Sequence, residues 1–548
     1  MVLDINDFKL GVDGKFWNHL TKEMSFKDIV NYKDIKKDEF ILELGQEINN
    51  YEYNFMKPYY FYSPKSKGIL RKIKLYSIGD TSVYYYCVKK IQKELSDEIR
   101  KNRLVYGGFR FTPELRLRDE DLLNMTINYE YDAGLSVNNF RKEWSQYQKL
   151  ADSLSQKNYS YYIHIDIAHF YDDINLDILE NKIRSIVNGK SKIIDLLFNF
   201  LRFSDKRDLG YIQSNVGIPQ EEVGEMSRLL ANFYLASYDT EMIRFMKAYF
   251  KEEEKFTYTR YADDMWFCFH GDYDDGLRIV QKASFELSKL KLHISENKLE
   301  FFSVDKFIQH WHFIEWESMF ENKKNLTYLF NLYLNLHTNQ YGRWFSLASY
   351  ILQILISNEK SIDVIFISVD NARAFLDSIV KNPKFIFRLK NDKLHFFKKL
   401  LNKYPELRQD LEAHLQNKGS IYPNVEYFIL DLLSGISEYG ADIDFFINHY
   451  FSSFSREYQW YSRCLCLKYI IENLDFMEKN RKESLTKFMN HIERAKKYFT
   501  KLERRYVISF LSNLRNDKGG RVLKRYFNTP EDIVFINFLR IDGLYHDK

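Results

Sequence analysis

Apolar and polar residues alternate with a period of two along YSYYIHIDIAHFYDDI. Tyr161, Ile163, Ile165 and Ile167 take turns with Tyr162, His164, Asp166 and Ala168. This spacing predicts a strand with one strongly apolar face and with Asp166 on the other face, near the strand end. Two further strand-like runs, FTYTRY and MWFCF, flank Ala262, Asp263 and Asp264. They predict a β-hairpin with two adjacent carboxylates at its tip. The stretch FYSPKSKGILRKIKLYSI predicts a second hairpin, turned by Ser66, Lys67 and Gly68. In GIPQEEVGEMSRLLANFYLASYD a loop leads into a long helix whose apolar stripe includes Met226, Leu230 and Phe233. RWFSLASYILQILI and YSRCLCLKYIIENL carry apolar residues at helical spacing, and Pro383, Pro405 and Pro423 fall at intervals suited to paired short helices.

These patterns divide the chain into three regions. Residues 1–150 mix short strands and helices, 151–325 alternate strands with helices, and 326–548 are almost entirely helical. The fold class is α+β with an all-α C-terminal region, for which a helical solenoid is the expected form. No sequence repeat is evident. A length of 548 residues exceeds one ordinary core. With 8 prolines and 21 glycines, long disordered linkers are not expected.

Charge changes the picture little. The 80 basic and 76 acidic residues leave a net +4, which neither demands nor excludes nucleic acid. A local basic groove would be enough to hold a strand, and basic residues cluster between Lys65 and Arg103 and between Lys479 and Arg525. Lys496, Lys497, Arg504 and Arg505, interleaved with Tyr498, Tyr506 and Phe510, form a candidate surface for a single-stranded product. Core packing explains those aromatics equally well. Cys87, Cys268, Cys464 and Cys466 form no CxxC pair, so zinc and a disulfide scaffold are not expected, and a reducing cytoplasm is. The N-terminus does not read as a signal peptide, and no apolar run is long enough to span a bilayer.

The acidic residues carry the chemistry. Two acids in a turn are usually turn chemistry, and one aspartate at a strand end is usually solvated. Here the flanks are aromatic and apolar, so the hairpin should be buried in a sheet. Two negative charges at such an edge are costly unless a cation sits there. A strand-end aspartate and a two-aspartate hairpin offer hard oxygen ligands for two Mg²⁺ ions. Such a pair can activate an attacking oxygen and stabilise a leaving one.

The order of these motifs, over roughly residues 60–310, resembles the reverse transcriptase family. The strand of Asp166 is similar to the family's first palm motif, and Tyr261-Ala262-Asp263-Asp264 to its YxDD signature. The resemblance implies a polymerase right hand, with fingers in 1–150, a palm in 151–325 and a helical, HEAT-like thumb or solenoid in 326–548. It implies that Asp166, Asp263, Asp264 and the Ile167 carbonyl hold two Mg²⁺ ions, for which Mn²⁺ can substitute. Tyr171 matches the aromatic steric gate that favours deoxynucleotides. GIPQEEVGEMSRLLAN resembles the GxPQG…SxxLAN motif and places Gln220 near the incoming nucleotide. Glu221 stands where the family usually has glycine, and the loop before Ser227 is longer by about two residues, which bears on template handling. LKLHISENKLEFF resembles the next palm motif, in which Lys298 approaches the triphosphate and can act as a general acid. Lys65 and Arg71, in the N-terminal hairpin, match the fingers residues that clamp phosphates.

Ser227-Arg228-Leu229-Leu230-Ala231-Asn232 and Arg260-Tyr261-Ala262-Asp263-Asp264 are most similar to bacterial abortive-infection and related defence-associated members. That branch implies an antiphage role in the cytoplasm, homo-oligomers, deoxynucleoside triphosphates as substrates and a single-stranded DNA product. Several members work without a conventional template and prime on a protein tyrosine, leaving the product covalently attached. Others copy a partner noncoding RNA. No integrase, RNase H or HNH-type nuclease motif is evident. Two other readings remain. Tyr171 and the alanine of YADD speak against an RNA-dependent RNA polymerase, and the presence of all three acids against a silent RNA-binding scaffold.

Overall fold

The computed structural model describes residues 3–27, 35–56, 58–64, 69–108, 137–203, 215–219, 226–358, 360–389, 394–418, 421–436, 442–454, 456–514 and 517–541. The chain divides into two compact units. The first comprises Met1–Ser25, Asn31–Tyr60 and Ile73–Glu317, and the second Phe26–Val30, Phe61–Lys72 and Ser318–Lys548.

Hairpin strands β1 (Tyr59–Pro64) and β2 (Leu70–Leu75) form a two-stranded sheet, and their turn, Lys65–Gly68, lies outside the described residues. The first unit is built on a five-stranded sheet of order β3-β5-β6-β4-β7. These strands are β3 (Val105–Tyr106), β4 (Tyr161–Asp166), β5 (Phe256–Tyr261), β6 (Asp264–Phe269) and β7 (Glu300–Phe302). β3 runs parallel to β5, and the other pairs are antiparallel. The alternation read from the sequence takes physical form here. Ile163 and Ile165 share one face with Met265 and Phe267, all fully buried.

The opposite face, which carries Asp166, is not open along its whole length. Its start is covered: Tyr162 is fully buried and stacks on Phe307, 4.3 Å between ring centroids. Tyr162, Trp266, Cys268 and Tyr261 join an aromatic cluster with Tyr147 and Trp311. Those two rings come from helices α1 (Val137–Ser155) and α2 (Val304–Trp311). Only the strand end beyond this cluster is left for polar groups, and His164 and Asp166 stand there, half-buried.

The long helix expected after the GIPQ loop is two helices, α3 (Met226–Tyr234) and α4 (Ala236–Phe250). The break at Leu235 follows the Tyr234 carbonyl, which accepts a hydrogen bond from Lys182 Nζ at 2.7 Å. Helix α5 (Tyr273–Lys289) starts at a reciprocal capping box between Asp272 and Asp275.

The described part of the second unit past Ser318 is helical. Consecutive helices α6 (Leu326–Asn339) and α7 (Trp344–Ser357) pack together, and α8 (Trp460–Glu472) packs on α9 (Lys501–Asn513). α8 and α9 are joined by a buried ion pair between Arg463 and Glu503. The sequence left Tyr506 and Phe510 open as product platforms. They are core residues, 5% and 0% exposed, because both lie on the packed face of α9. Tyr498 is 74% exposed, whereas Arg504 is engaged by Asp532 at 2.6 Å. All four cysteines are buried free thiols. No described helix is long and apolar enough to cross a membrane.

Candidate active site

The hairpin β5–β6 and strand β4 bring the acids together through register. Asp166 and Asp264 are direct cross-strand partners, and Asp263 sits at the turn one residue before. Both Asp166 and Asp264 therefore stand on the face that carries His164. The chain after Asp166 is fixed by three backbone links. The Asp166 carbonyl accepts from Ser295 N–H at 2.8 Å, the Ala168 N–H donates to the His293 carbonyl at 2.9 Å, and buried Ile167 bridges Ile294. The same segment ends in the short helical turn Glu296–Lys298, which delivers Lys298 Nζ to 2.8 Å from Asp166 Oδ1.

Electrostatics distinguishes the three carboxylates. Burial, and then the neighbouring charges of Asp166 and Asp264, push the Asp263 carboxyl up to about 6. Repulsion of this kind is what a bound cation relieves, so the donor set suits a hard divalent ion. Asp264 is turned to another partner: its Oδ1 is hydrogen-bonded to His164 Nε2, whose ring stacks on Trp266 at 4.7 Å. Among the described residues no three His, Cys, Asp or Glu side chains close around one point. The arrangement is thus Asp166 and Asp263 facing one another electrostatically, with Asp264 held aside by His164.

The hairpin tip is gripped from two sides. Ala262 takes a left-handed conformation, φ 54°, rarely adopted outside glycine and asparagine. Arg260, fully buried, donates from Nη1 to the Ala262 carbonyl at 2.6 Å. Its other side forks onto Asp239 of α4, at 2.8 and 2.5 Å, and Tyr258 Oη donates to the same carboxylate at 2.6 Å. On the other side the Ala262 N–H donates to the Tyr106 carbonyl at 3.1 Å. Gly107 and Gly108 follow, with φ of 96° and 120°. A Cβ on Gly107 would stand 2.8 Å from Ala262 N, and one on Gly108 would stand 3.0 Å from Arg228 Cβ. The glycine pair is therefore wedged between the tip and α3, where Asn232 Nδ2 donates to the Gly108 carbonyl at 3.0 Å. Glu143 of α1, 2% exposed, accepts both glycine N–H groups on one oxygen, at 2.6 and 2.9 Å. Burial raises its carboxyl to about 7, against the opposing pull of those two N–H groups and of Arg228 and Arg100.

The remaining expected residues are distributed unevenly. Tyr171, half-buried, lies in the helical turn after β4, and its carbonyl accepts from Ile218 N–H at 2.9 Å. The start of the GIPQ loop is stitched there a second time by Gly217 N–H to the Ile174 carbonyl, 2.8 Å. Gln220 and Glu221 lie outside the described residues, as does Lys65. Arg71 is exposed on β2 within the second unit.

Sequence reading missed His164, Glu143, Gly107, Gly108, Arg260 and Asp239. His164 had a signal, since it stands two residues before Asp166 and must share its strand face. The adjacent glycines were a weaker one. Glu143 and Asp239 had none, because a carboxylate on a helix reads as solvated until its neighbours are known.

Comparison with known proteins identifies a domain within the chain. The family model described as reverse transcriptase (RNA-dependent DNA polymerase) matches residues 99–330. Among solved structures, apo telomerase from Candida tropicalis aligns at 12% identity and a TM-score of 0.28, covering 81% of this chain and 73% of that one. Telomerase from Candida albicans in complex with a fragment of telomeric RNA aligns at 10% identity and 0.27, covering 88% and 67%. No curated protein matches the chain. The segment that contains the Asp166 strand, the Asp263–Asp264 hairpin and Lys298 is a reverse transcriptase domain.

Proposed function

We propose that this chain polymerises deoxynucleotides on divalent metal, as a reverse transcriptase acting in bacterial antiphage defence. The observation that carries the polymerase reading is the register of β4 against the hairpin, which sets Asp166 opposite Asp264 and beside Asp263. Divalent ions bound there, Mg²⁺ by preference, would activate the attacking hydroxyl and neutralise the leaving pyrophosphate. Asp166 and Asp263 would hold the ions, with the Ile167 carbonyl and Asp264 adjoining. Lys298, 2.8 Å from Asp166 Oδ1, would balance its charge and give a proton to the leaving group. His164 keeps Asp264 oriented. Tyr171 would exclude a ribose 2′-hydroxyl, while Lys65, Arg71 and Gln220 would contact the nucleotide. In this reading 1–150 is the fingers region, 151–325 the palm and 326–548 a thumb or HEAT-like solenoid. The packing of helices on near neighbours in sequence supports the last assignment.

The defence role rests on the SRLLAN and RYADD segments. Synthesis without a conventional template is favoured by Glu221 standing where the family usually has glycine, and a tyrosine of the chain or of a homo-oligomer would then serve as primer. Copying of a bound noncoding RNA is the alternative within the same chemistry. The test is to purify the full chain with its nucleic acid, add Mg²⁺ and single deoxynucleotides, and sequence the product. Asp166→Asn and Asp263→Asn should each lower incorporation by roughly a thousandfold or more. Incorporation of ribonucleotides alone, or unchanged phage protection by an Asp263→Asn, Asp264→Asn chain, would sink the proposal.

A further inference from the structure

We infer that Glu143 is a positioning residue for this reaction, holding the Gly107–Gly108 strap against Ala262 so that the hairpin tip presents Asp263 in one place. The inference rests on the polymerase reading of the site. Its starting point is a carboxylate where packing alone would favour a hydrocarbon. α1 lies against aromatic rings: Trp144 meets Tyr261 at 5.0 Å, and Tyr147 meets both Tyr261 at 5.3 Å and Tyr106 at 5.5 Å. A leucine at 143 would share that surface without the desolvation of a buried acid. What a leucine would not do is accept hydrogen bonds from Gly107 and Gly108. Two consecutive backbone N–H groups aimed at one oxygen form a concave donor pair, and Glu143 fills it.

The strap these bonds fix has no slack. A side chain on its first glycine would run into the backbone of Ala262, one on its second would run into Arg228, and its leading residue Tyr106 accepts the Ala262 N–H. Ala262 is the residue before Asp263. A shift of the strap therefore moves a carboxylate without altering any group that would meet substrate. Misplacement of reacting groups by about 1 Å costs on the order of a hundredfold in rate.

The test uses the full chain and three variants. Glu143→Gln keeps an oxygen that can accept both N–H groups. Glu143→Leu removes it. Glu143→Asp keeps the charge but falls one methylene short, and so serves if the leucine variant does not fold. The first readout is deoxynucleotide incorporation with Mg²⁺, separated into kcat and KM. The second is amide hydrogen exchange at Gly107, Gly108 and Ala262, which needs no activity. The leucine and aspartate variants should lose about a hundredfold in kcat with KM changed less than about threefold, and exchange faster at those amides. The glutamine variant should stay within about threefold of the parent in kcat and should exchange no faster than the parent at those amides. Full kcat in the aspartate or leucine variant overturns the inference. So does an equal loss in the glutamine variant, or unaltered exchange in the leucine one. A parent chain that incorporates no nucleotide while its amides respond as described overturns the polymerase reading, and with it a role for Glu143 in that reaction, but leaves the strap itself standing.

Discussion

Arg260 and Asp239 form an ion pair with no exposed side-chain surface on either partner. Removing one partner strands the other charge in the interior. Arg260→Met should therefore destabilise the first unit by about 3–5 kcal/mol, with Asp239→Leu on the same chain recovering part of the loss. Urea unfolding followed by tryptophan fluorescence reads this directly, since Trp266 and Trp311 lie in that unit. Glu143 makes a different prediction. Its folded carboxyl titrates near 7, above the ordinary value of 4.5, so the folded state binds the proton more tightly. The stability this contributes is complete below about pH 4.5 and is lost as pH rises through 7. Glu143→Gln removes the dependence. At pH 8 the variant should be more stable than the parent by on the order of 3 kcal/mol, and the gap should narrow towards pH 5. Equal unfolding midpoints at both pH values would contradict it. Tyr171→Ala, under the proposed function, should raise ribonucleotide incorporation by about tenfold or more, measured in competition with the matching deoxynucleotide.

At the scale of elements, the hairpin tip depends on a neighbour that the hairpin sequence does not contain. Gly107→Ala places a methyl carbon 2.8 Å from Ala262 N on a backbone at φ 96°. It should destabilise the first unit by about 1–3 kcal/mol and lower nucleotide incorporation in step. Gly14→Ala, on a helix with open space around the site, is the control and should do neither. This dependence also marks what was legible beforehand. The strand of Asp166 and the hairpin of Asp263 and Asp264 could be read because a period of two, broken by turn residues, is a local signal. Trp344–Ser357 and Trp460–Glu472 were readable as helices from apolar residues at helical spacing, which is local as well. The strap was not, since Gly107 and Glu143 stand 36 positions apart and meet only after the chain between them has folded back. Nor was the division of the helix at Leu235, where a lysine from another element reaches the backbone. The cover over the Tyr162 face was hidden because a tyrosine in an alternating strand suits surface and core alike.

At the scale of the whole molecule, two buried ion pairs sit in different units: Arg260 with Asp239 in the first, and Arg463 with Glu503 in the second. Calorimetry of the full chain should show Arg260→Met lowering one heat-absorption peak and Arg463→Met another. A single peak moved equally by both would refute separate folding units. The net charge of +4 offers no strong global field, so nucleic-acid binding by this chain should weaken with salt in proportion to a few local contacts. Strand β7 has one more consequence. It closes the side of β4 that β6 leaves open, through Tyr162, Ile163 and His164 paired with Phe302, Phe301 and Glu300. While the ribosome has yet to release those last three residues, the nascent polypeptide carries every acid of the centre beside a bare row of peptide donors and acceptors. Messages cut short between codons 270 and 300 should yield sticky, inactive fragments, whereas translation past 302 caps that row.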